Sequence, residues 1–135
     1  MLDYALSLLM MEMTQEYVQS SIHKTEEIPA VILQVMEWIK IHYHQPFTVT
    51  EIAEEVGYQA DYLSSLFKRS TGISMTRFTN QIRIKTAKAL LSNYDITIKE
   101  AAYSCGFSDE KYFMKVFKQL EGMTPTQYKN TFGKS

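Results

Sequence analysis

The stretch TVTEIAEEVGYQADYLSSLFKRSTGISMTRF at 48–78 is repeated in pattern by TIKEAAYSCGFSDEKYFMKVFKQLEGMTPTQY at 97–128. Glycines mark the register, because Gly57 and Gly106 lie 49 positions apart and a second pair of glycines lies 50 apart. One residue is inserted between the two pairs, and the apolar positions on either side of it correspond. A unit of about 30 residues therefore occurs twice, which indicates that both copies adopt the same supersecondary structure.

Each copy carries the signals that begin and end two consecutive helices. Thr48 and Thr97 are each followed three residues later by glutamate, which is the capping box that begins a helix. The first helix is expected to end at a left-handed glycine cap, Gly57 in one copy and Gly106 in the other. A short helix, an abrupt turn and a longer helix predict a helix-turn-helix in each copy.

The segment between the copies, about 74–92, is predicted to form one linker helix that packs on both units. It carries two apolar stripes, Met75, Phe78 and Ile82 in one and Ile84, Ala87, Leu90 and Leu91 in the other. A further helix is expected to start at Thr124-Pro125, since proline favours the first helical position. No alternation of period two and no hairpin dipeptide indicates a strand, so the fold is predicted to be all-α.

The longer helices of the two units, about 60–71 and 109–121, have an apolar side and an outward polar side. A recognition helix uses such an arrangement, with its N-terminal half in the major groove and its other side on its own core. The outward side chains can pair with base edges or phosphates, or they can form a merely solvated helix face. They are Gln59, Asp61, Ser64, Ser65 and Lys68 in the first unit and Glu110, Lys111, Met114, Lys115 and Lys118 in the second.

Residues 47–132 resemble the DNA-binding domain of the AraC/XylS family of bacterial transcription regulators. The resemblance rests on residues of the second unit above all, namely Ala102, Gly106-Phe107, Asp109, Tyr112-Phe113, Phe117-Lys118, Gly122, Thr124-Pro125 and Tyr128. It also rests on residues upstream, namely Ala53, Leu63, Phe67-Lys68, Gly72, Arg83, Ala87 and Leu90-Leu91. The resemblance implies seven helices in two helix-turn-helix units, with recognition helices in successive major grooves on one face of double-stranded DNA.

Roles for individual residues follow from the same resemblance. It implies base reading by Asp61, Ser64, Ser65, Glu110, Lys111 and Lys115. We assign contacts with the DNA backbone to Gln59, Lys68, Arg69, Met114 and Lys118. Arg83 matches a family arginine that we expect to pair with an acidic residue inside the domain or to face the DNA.

The charge of the chain is unevenly distributed along it. The 135 residues carry 14 Lys and Arg against 15 Asp and Glu, a net charge of −1, which excludes a simple polycation. Residues 1–46 hold 2 basic and 6 acidic side chains, a balance of −4, whereas residues 47–135 hold 12 basic and 9 acidic ones, a balance of +3. The mildly basic part coincides with the repeat.

The front of the chain is expected to serve assembly. An apolar helix over about 1–20 has more apolar surface than an isolated helix would expose, so it should be buried against a partner. We divide the chain into this helix at 1–27 and a DNA-binding domain at 28–132, with the first unit about 28–73, the linker about 74–92 and the second unit about 93–132. The chain is then the C-terminal part of a longer regulator that forms a homodimer, with RNA polymerase as a candidate partner. The alternative is a complete small regulator whose extra helix packs on its own domain or on a second copy.

Other kinds of function find little support. Cys105 is the single cysteine and falls on an apolar core position of the repeat, and the histidines lack the spacing of a metal site. We therefore expect no cofactor, no metal and no enzymatic activity, and, since no signal peptide or membrane span is apparent, a cytoplasmic protein without a membrane partner. The alternative function is a helical protein-interaction module without specific DNA binding, which the acidic residues Asp61, Asp109 and Glu110 slightly favour.

Overall fold

The computed structural model describes residues 27–133, which form seven α-helices and contain no strand. The helices are α1 (Ala30–His42), α2 (Val49–Val56), α3 (Ala60–Thr71), α4 (Met75–Asn93), α5 (Ile98–Ser104), α6 (Glu110–Glu121) and α7 (Pro125–Phe132). The all-α prediction is confirmed, and the helix predicted over about 1–20 lies outside the described residues. Within 27–133, no helix combines the length and the apolar character that crossing a bilayer requires.

Both repeat copies begin with the predicted capping box. The Thr48 hydroxyl accepts from the Glu51 N–H at 3.2 Å, and the Glu51 carboxylate accepts from the Thr48 N–H at 3.4 Å. Thr97 and Glu100 make the same two bonds at 3.0 and 3.3 Å. These bonds satisfy N–H groups that have no partner within the helix, so α2 and α5 start at corresponding positions.

The helices α2 and α5 end with the same chain reversal, although the cap is assigned to different positions. Gly57 is the cap of α2 with φ 75°, whereas α5 ends one residue earlier, so that Gly106, with φ 104°, follows the cap instead of forming it. In each copy the residue after the glycine donates to the carbonyl five residues back, at 2.9 Å in the first copy and 3.0 Å in the second. This is the Schellman pattern, and it turns the chain towards the longer helix.

Two apolar clusters form the core, and α4 contributes to both. Its first half buries Met75 and Phe78 against α1, α2 and α3, where Leu63 and Phe67 are fully buried. Its second half packs on α5 and α6 with the side chains Ile84, Ala87 and Leu91. The two predicted stripes of the linker helix are thus confirmed, except that Ile82 and Leu90 are only partly buried.

Two prolines mark helix starts differently. Pro125 is the first residue of α7, as predicted, and Thr124 caps it with a further capping box. Pro29 is the N-cap of the first helix with ψ 144°, so α1 begins at Ala30. The backbone at Pro29 is extended, and a residue in that conformation has not entered the helix.

Candidate nucleic-acid interface

Helix α3 presents the outward face that its sequence predicts. Leu63 and Phe67 are fully buried beneath it, so the side chains on its other side point away from the core. Ser64 is half-buried, and the other candidate residues are exposed, namely Gln59, Asp61, Ser65, Lys68 and Arg69. Four of the six, Ser64, Ser65, Lys68 and Arg69, line one wall of an open groove of about 530 Å³. The opposite wall comes from the first turn of α4.

Helix α6 has the corresponding arrangement. Phe113, Val116 and Phe117 face the second core. Of the candidate residues Glu110 is half-buried, and Lys111, Met114, Lys115 and Lys118 are exposed. A second open groove of about 570 Å³ runs between α6 and α4, lined on the α6 side by Tyr112, Lys115, Val116, Gln119 and Leu120.

Asp109, which was expected to lie inside the second long helix, is its N-cap. Its two carboxylate oxygens accept from the N–H groups of Lys111 at 3.2 Å and Tyr112 at 3.3 Å. A carboxylate at this position satisfies unpaired N–H groups and interacts favourably with the positive end of the helix dipole. Asp109 therefore positions α6, and its charge is engaged within the protein.

The two grooves meet at the first turn of α4. Ser74 and Thr76 line both grooves, and Arg77 and Asn80 line the second one. The groove beside α3 and the groove beside α6 thus adjoin at the start of α4, and the outward residue Lys115 lines the second of them. Sequence reasoning assigned α4 to a linker and missed these residues, although Thr76 and Arg77 lie off its apolar stripe and could have been recognised as outward positions.

A hydrogen bond fixes the start of α6 to α4. The Asn80 side-chain amide, which is 8% exposed, donates to the Tyr112 phenolic oxygen at 3.0 Å. Tyr62, the counterpart of Tyr112 in the first copy, is 51% exposed and stacks on Tyr58 with ring centroids 6.0 Å apart. Tyr112 makes the corresponding contact with the Phe107 ring at 5.9 Å, so its hydrogen bond with Asn80 is added to a ring contact that both units share.

Positive charge predominates among the outward side chains. In α3 two cations, Lys68 and Arg69, accompany the single acid Asp61. In α6 three outward lysines accompany Glu110, and Glu121 at its far end pairs with Lys88 of α4 at 3.0 Å. Because an outward lysine or arginine can neutralise a phosphate, the surface suits the DNA backbone.

Arg83 has partners that the sequence did not predict. Its Nε donates to the Tyr43 carbonyl at 2.9 Å and its Nη2 to the Gln45 carbonyl at 3.0 Å, so backbone carbonyls take the place of the expected acidic residue. The reason is that α4 carries Arg83 over the loop between α1 and α2. Burial lowers the pKa of its guanidinium.

Cys105 is a fully buried, free thiol, as its place in the repeat predicts. Burial raises its pKa to about 12, which opposes formation of the nucleophilic thiolate. His42 stacks on Trp38 and contacts the Trp38 carbonyl oxygen through Nδ1 at 2.8 Å. Among residues 27–133, no group of three or more histidine, cysteine or acidic side chains is arranged to hold a metal ion.

Comparison with known proteins identifies relatives of this chain. The sequence profile of a family described as a helix-turn-helix domain matches residues 52–131. An uncharacterized HTH-type transcriptional regulator of Staphylococcus aureus (strain MSSA476) is 34% identical over 115 residues, covering 84% of this chain and 15% of that protein. The C-terminal domain of AraT, a response regulator from Geobacillus stearothermophilus, is 29% identical with a TM-score of 0.75, covering 82% of this chain and 92% of that one. The DNA-binding domain of AdpA, a global transcriptional factor in complex with a target DNA, shares the fold at 24% identity with a TM-score of 0.69, covering 75% of this chain and 91% of that one.

Two equivalent helix-turn-helix units on a shared helix, with outward polar and basic side chains, define a DNA-binding protein of the helix-turn-helix class. The chain belongs to the AraC-type helix-turn-helix family of transcription regulators, as the resemblance indicated. This family is one of DNA-binding regulators and is not a class of enzymes. The chain spans about 15% of the length of the Staphylococcus aureus relative.

Proposed function

We propose that α3 and α6 enter successive major grooves on one face of double-stranded DNA and read its sequence there. The observation that carries this proposal is the shared surface, in which the grooves beside the two helices meet at Ser74 and Thr76. Equivalent helices that flank one surface can contact one DNA face together. The fold is shared with the AdpA domain, which was solved in complex with a target DNA, and this supports DNA as the partner of the surface.

Within this proposal the outward residues have two kinds of role. Base reading falls to Asp61, Ser64, Ser65, Glu110, Lys111 and Lys115, because serine, lysine and carboxylate side chains offer the donors and acceptors that base edges match. Backbone contacts fall to Gln59, Lys68, Arg69, Met114 and Lys118. Lys115 is the best-supported candidate for base reading in the second unit, since it is exposed and lines the groove beside α4.

We also propose that the chain acts as the C-terminal, DNA-reading part of a longer regulator in the cytoplasm. The chain covers a small share of the Staphylococcus aureus relative, and the AraT match is itself a C-terminal domain. In this proposal the domain spans about 28–132, residues 1–27 mediate homodimer formation, and RNA polymerase is a candidate partner at the promoter. The division at residue 27 predicts that 28–135 folds and binds DNA as a monomer.

Selection from a random oligonucleotide pool, followed by hydroxyl-radical footprinting of the selected site, tests the function. The expected footprint covers two adjacent major grooves on one face, and log Kd should rise with log salt concentration by about 0.9 for each phosphate contact. A pool from which no sequence is enriched would contradict sequence reading. Salt-insensitive retention of a protein partner, without DNA enrichment, would support the protein-interaction module instead.

A further inference from the structure

We infer that Arg83 is the joint that holds the two helix-turn-helix units in one relative orientation and so sets the spacing of the two DNA segments that the chain reads. The inference rests on the proposed function and adds a residue that determines specificity without touching DNA. Arg83 lies on α4 between Ile82, which packs on the first core, and Ile84, which belongs to the second.

On the side of the first unit, Arg83 holds the loop between α1 and α2. Its Nε and Nη2 donate to the carbonyls of Tyr43 and Gln45, and its guanidinium lies 5.1 Å from the centre of the Phe47 ring. Two directed hydrogen bonds and one ring contact fix both the position and the plane of the guanidinium.

On the side of the second unit, the same guanidinium lies 5.6 Å from the centre of the Phe107 ring. Phe107 follows Gly106 in the turn between α5 and α6. The Gly106 backbone packs so closely on the Tyr43 carbonyl that a Cβ there would overlap this oxygen and lie 2.8 Å from Arg83 Nε. The turn that precedes α6 therefore contacts the loop between α1 and α2 directly. The Arg83 guanidinium contacts the Phe47 ring of that loop and the Phe107 ring of that turn.

The contact between the α1–α2 loop and the α5–α6 turn restricts rotation of one unit relative to the other, which α4 alone does not do. A helix fixes the distance between two units packed on its two halves, but small shifts of either core would rotate one unit about the helix axis. The contact between loop and turn adds a second attachment away from that axis. Each base-pair step turns the DNA by about 34°. If one unit rotates while α3 stays bound, α6 therefore meets its DNA segment at a different number of base pairs from the first segment.

The test compares DNA sites that differ only in the spacing between the two segments. The selected site and versions with one or two base pairs inserted or removed at its centre are titrated by fluorescence anisotropy. We expect wild-type affinity to fall by about tenfold or more for each single-pair change, which is about 1.4 kcal/mol. Arg83→Ala should bind all spacings within about threefold of one another and should bind an isolated half-site as wild type does.

Two further variants distinguish an effect of Arg83 on the orientation of the two units from a general loss of stability. Lys85→Ala removes an exposed cation two positions along α4 and should keep the wild-type spacing preference. Arg83→Lys keeps the charge but not the planar pair of donors, so it should broaden the preference, and it serves as the test variant if Arg83→Ala does not fold. Residual dipolar couplings of the free protein should fit one common alignment for both units in wild type and a separate alignment for each unit in Arg83→Lys, with each unit internally unchanged.

The outcomes distinguish this inference from the proposed function. Wild-type spacing preference and unchanged couplings in a folded Arg83 variant would overturn the joint while leaving two-groove binding intact. A wild-type protein that shows no spacing preference and protects a single groove would instead refute the proposed function, and the inference would fall with it.

Discussion

The Asn80 amide of α4 donates to the Tyr112 hydroxyl of α6 at 3.0 Å, and this bond links the linker helix to the start of the second outward helix. Asn80 is 8% exposed, lines the groove between α4 and α6, and makes this hydrogen bond through its side-chain amide. The equivalent tyrosine of the first unit, Tyr62, contacts the Tyr58 ring, and Tyr112 makes the corresponding contact with the Phe107 ring at 5.9 Å. In the second copy the tyrosine therefore accepts the Asn80 hydrogen bond in addition to a ring contact that both copies share.

Replacing Tyr112 by phenylalanine should destabilise the protein by about 1–3 kcal/mol, because a buried amide loses its hydrogen-bond partner. For a domain of this size the melting temperature should fall by about 4 °C or more, as measured by thermal unfolding followed by circular dichroism. Tyr62→Phe is the matched control, and it should shift the melting temperature by less than about 2 °C since its ring contact remains. Equal shifts in the melting temperature of the two variants would show that the hydrogen bond between Asn80 and Tyr112 does not contribute measurably to stability.

The two glycines that follow α2 and α5 should respond differently to substitution. Gly57→Ala places a Cβ in open space, so only the positive φ is unfavourable and the cost should be about 1–2 kcal/mol. Gly106→Ala adds an overlap with the Tyr43 carbonyl, and the total cost should reach about 3–5 kcal/mol. Urea unfolding at neutral pH measures both values.

A Gly106→Ala variant as stable as Gly57→Ala would mean that the close approach to Tyr43 relaxes without cost. The same variant should also broaden the spacing preference if it folds, because the contact between loop and turn is displaced. Gly57→Ala, which leaves that contact untouched, controls for the effect of alanine in a left-handed turn.

The repeat made most of the fold predictable from sequence. Capping boxes, left-handed glycines and apolar spacing are local signals, so they predicted where α2, α3, α5 and α6 begin or end to within a residue or two. The two stripes of α4 likewise predicted its packing on both cores. The roles of the outward side chains remain predictions, since local patterns show which residues face outward but not what they touch.

Contacts between distant segments could not be read from the sequence. Arg83 binds carbonyls of residues 38 and 40 positions earlier, and no side-chain pattern marks a carbonyl acceptor. Gly57 and Gly106 look equivalent in the repeat, yet only Gly106 packs against another segment. Such differences arise when two similar units pack against each other, because equivalent positions in the two units then contact different segments of the chain.

Two lysines should separate base reading from phosphate binding. Lys115→Ala should relax the preference at one or two base pairs by about 1–3 kcal/mol, as expected for loss of a contact with a base edge. Lys68→Ala should weaken binding to all sequences alike and lower the salt slope by about 0.9. Anisotropy titrations against the selected site, its single-base variants and an unrelated duplex measure both effects. Each variant controls for the other, and two identical profiles would contradict the assigned roles.

The buried thiol of Cys105 should make stability fall in alkaline solution. Burial raises its folded-state pKa from 9.0 to about 12, so well below pH 9 the thiol is protonated in both states and contributes no pH dependence. Above pH 9 the unfolded chain releases this proton while the folded protein retains it, and stability should decline by up to about 1.4 kcal/mol per pH unit until the folded thiol ionises. Urea midpoints at pH 8, 9 and 10 under reducing conditions should therefore fall more steeply for wild type than for Cys105→Ala. The comparison of slopes cancels the titration of lysines and tyrosines common to both proteins, and parallel slopes would show that the thiol ionises equally easily in both states.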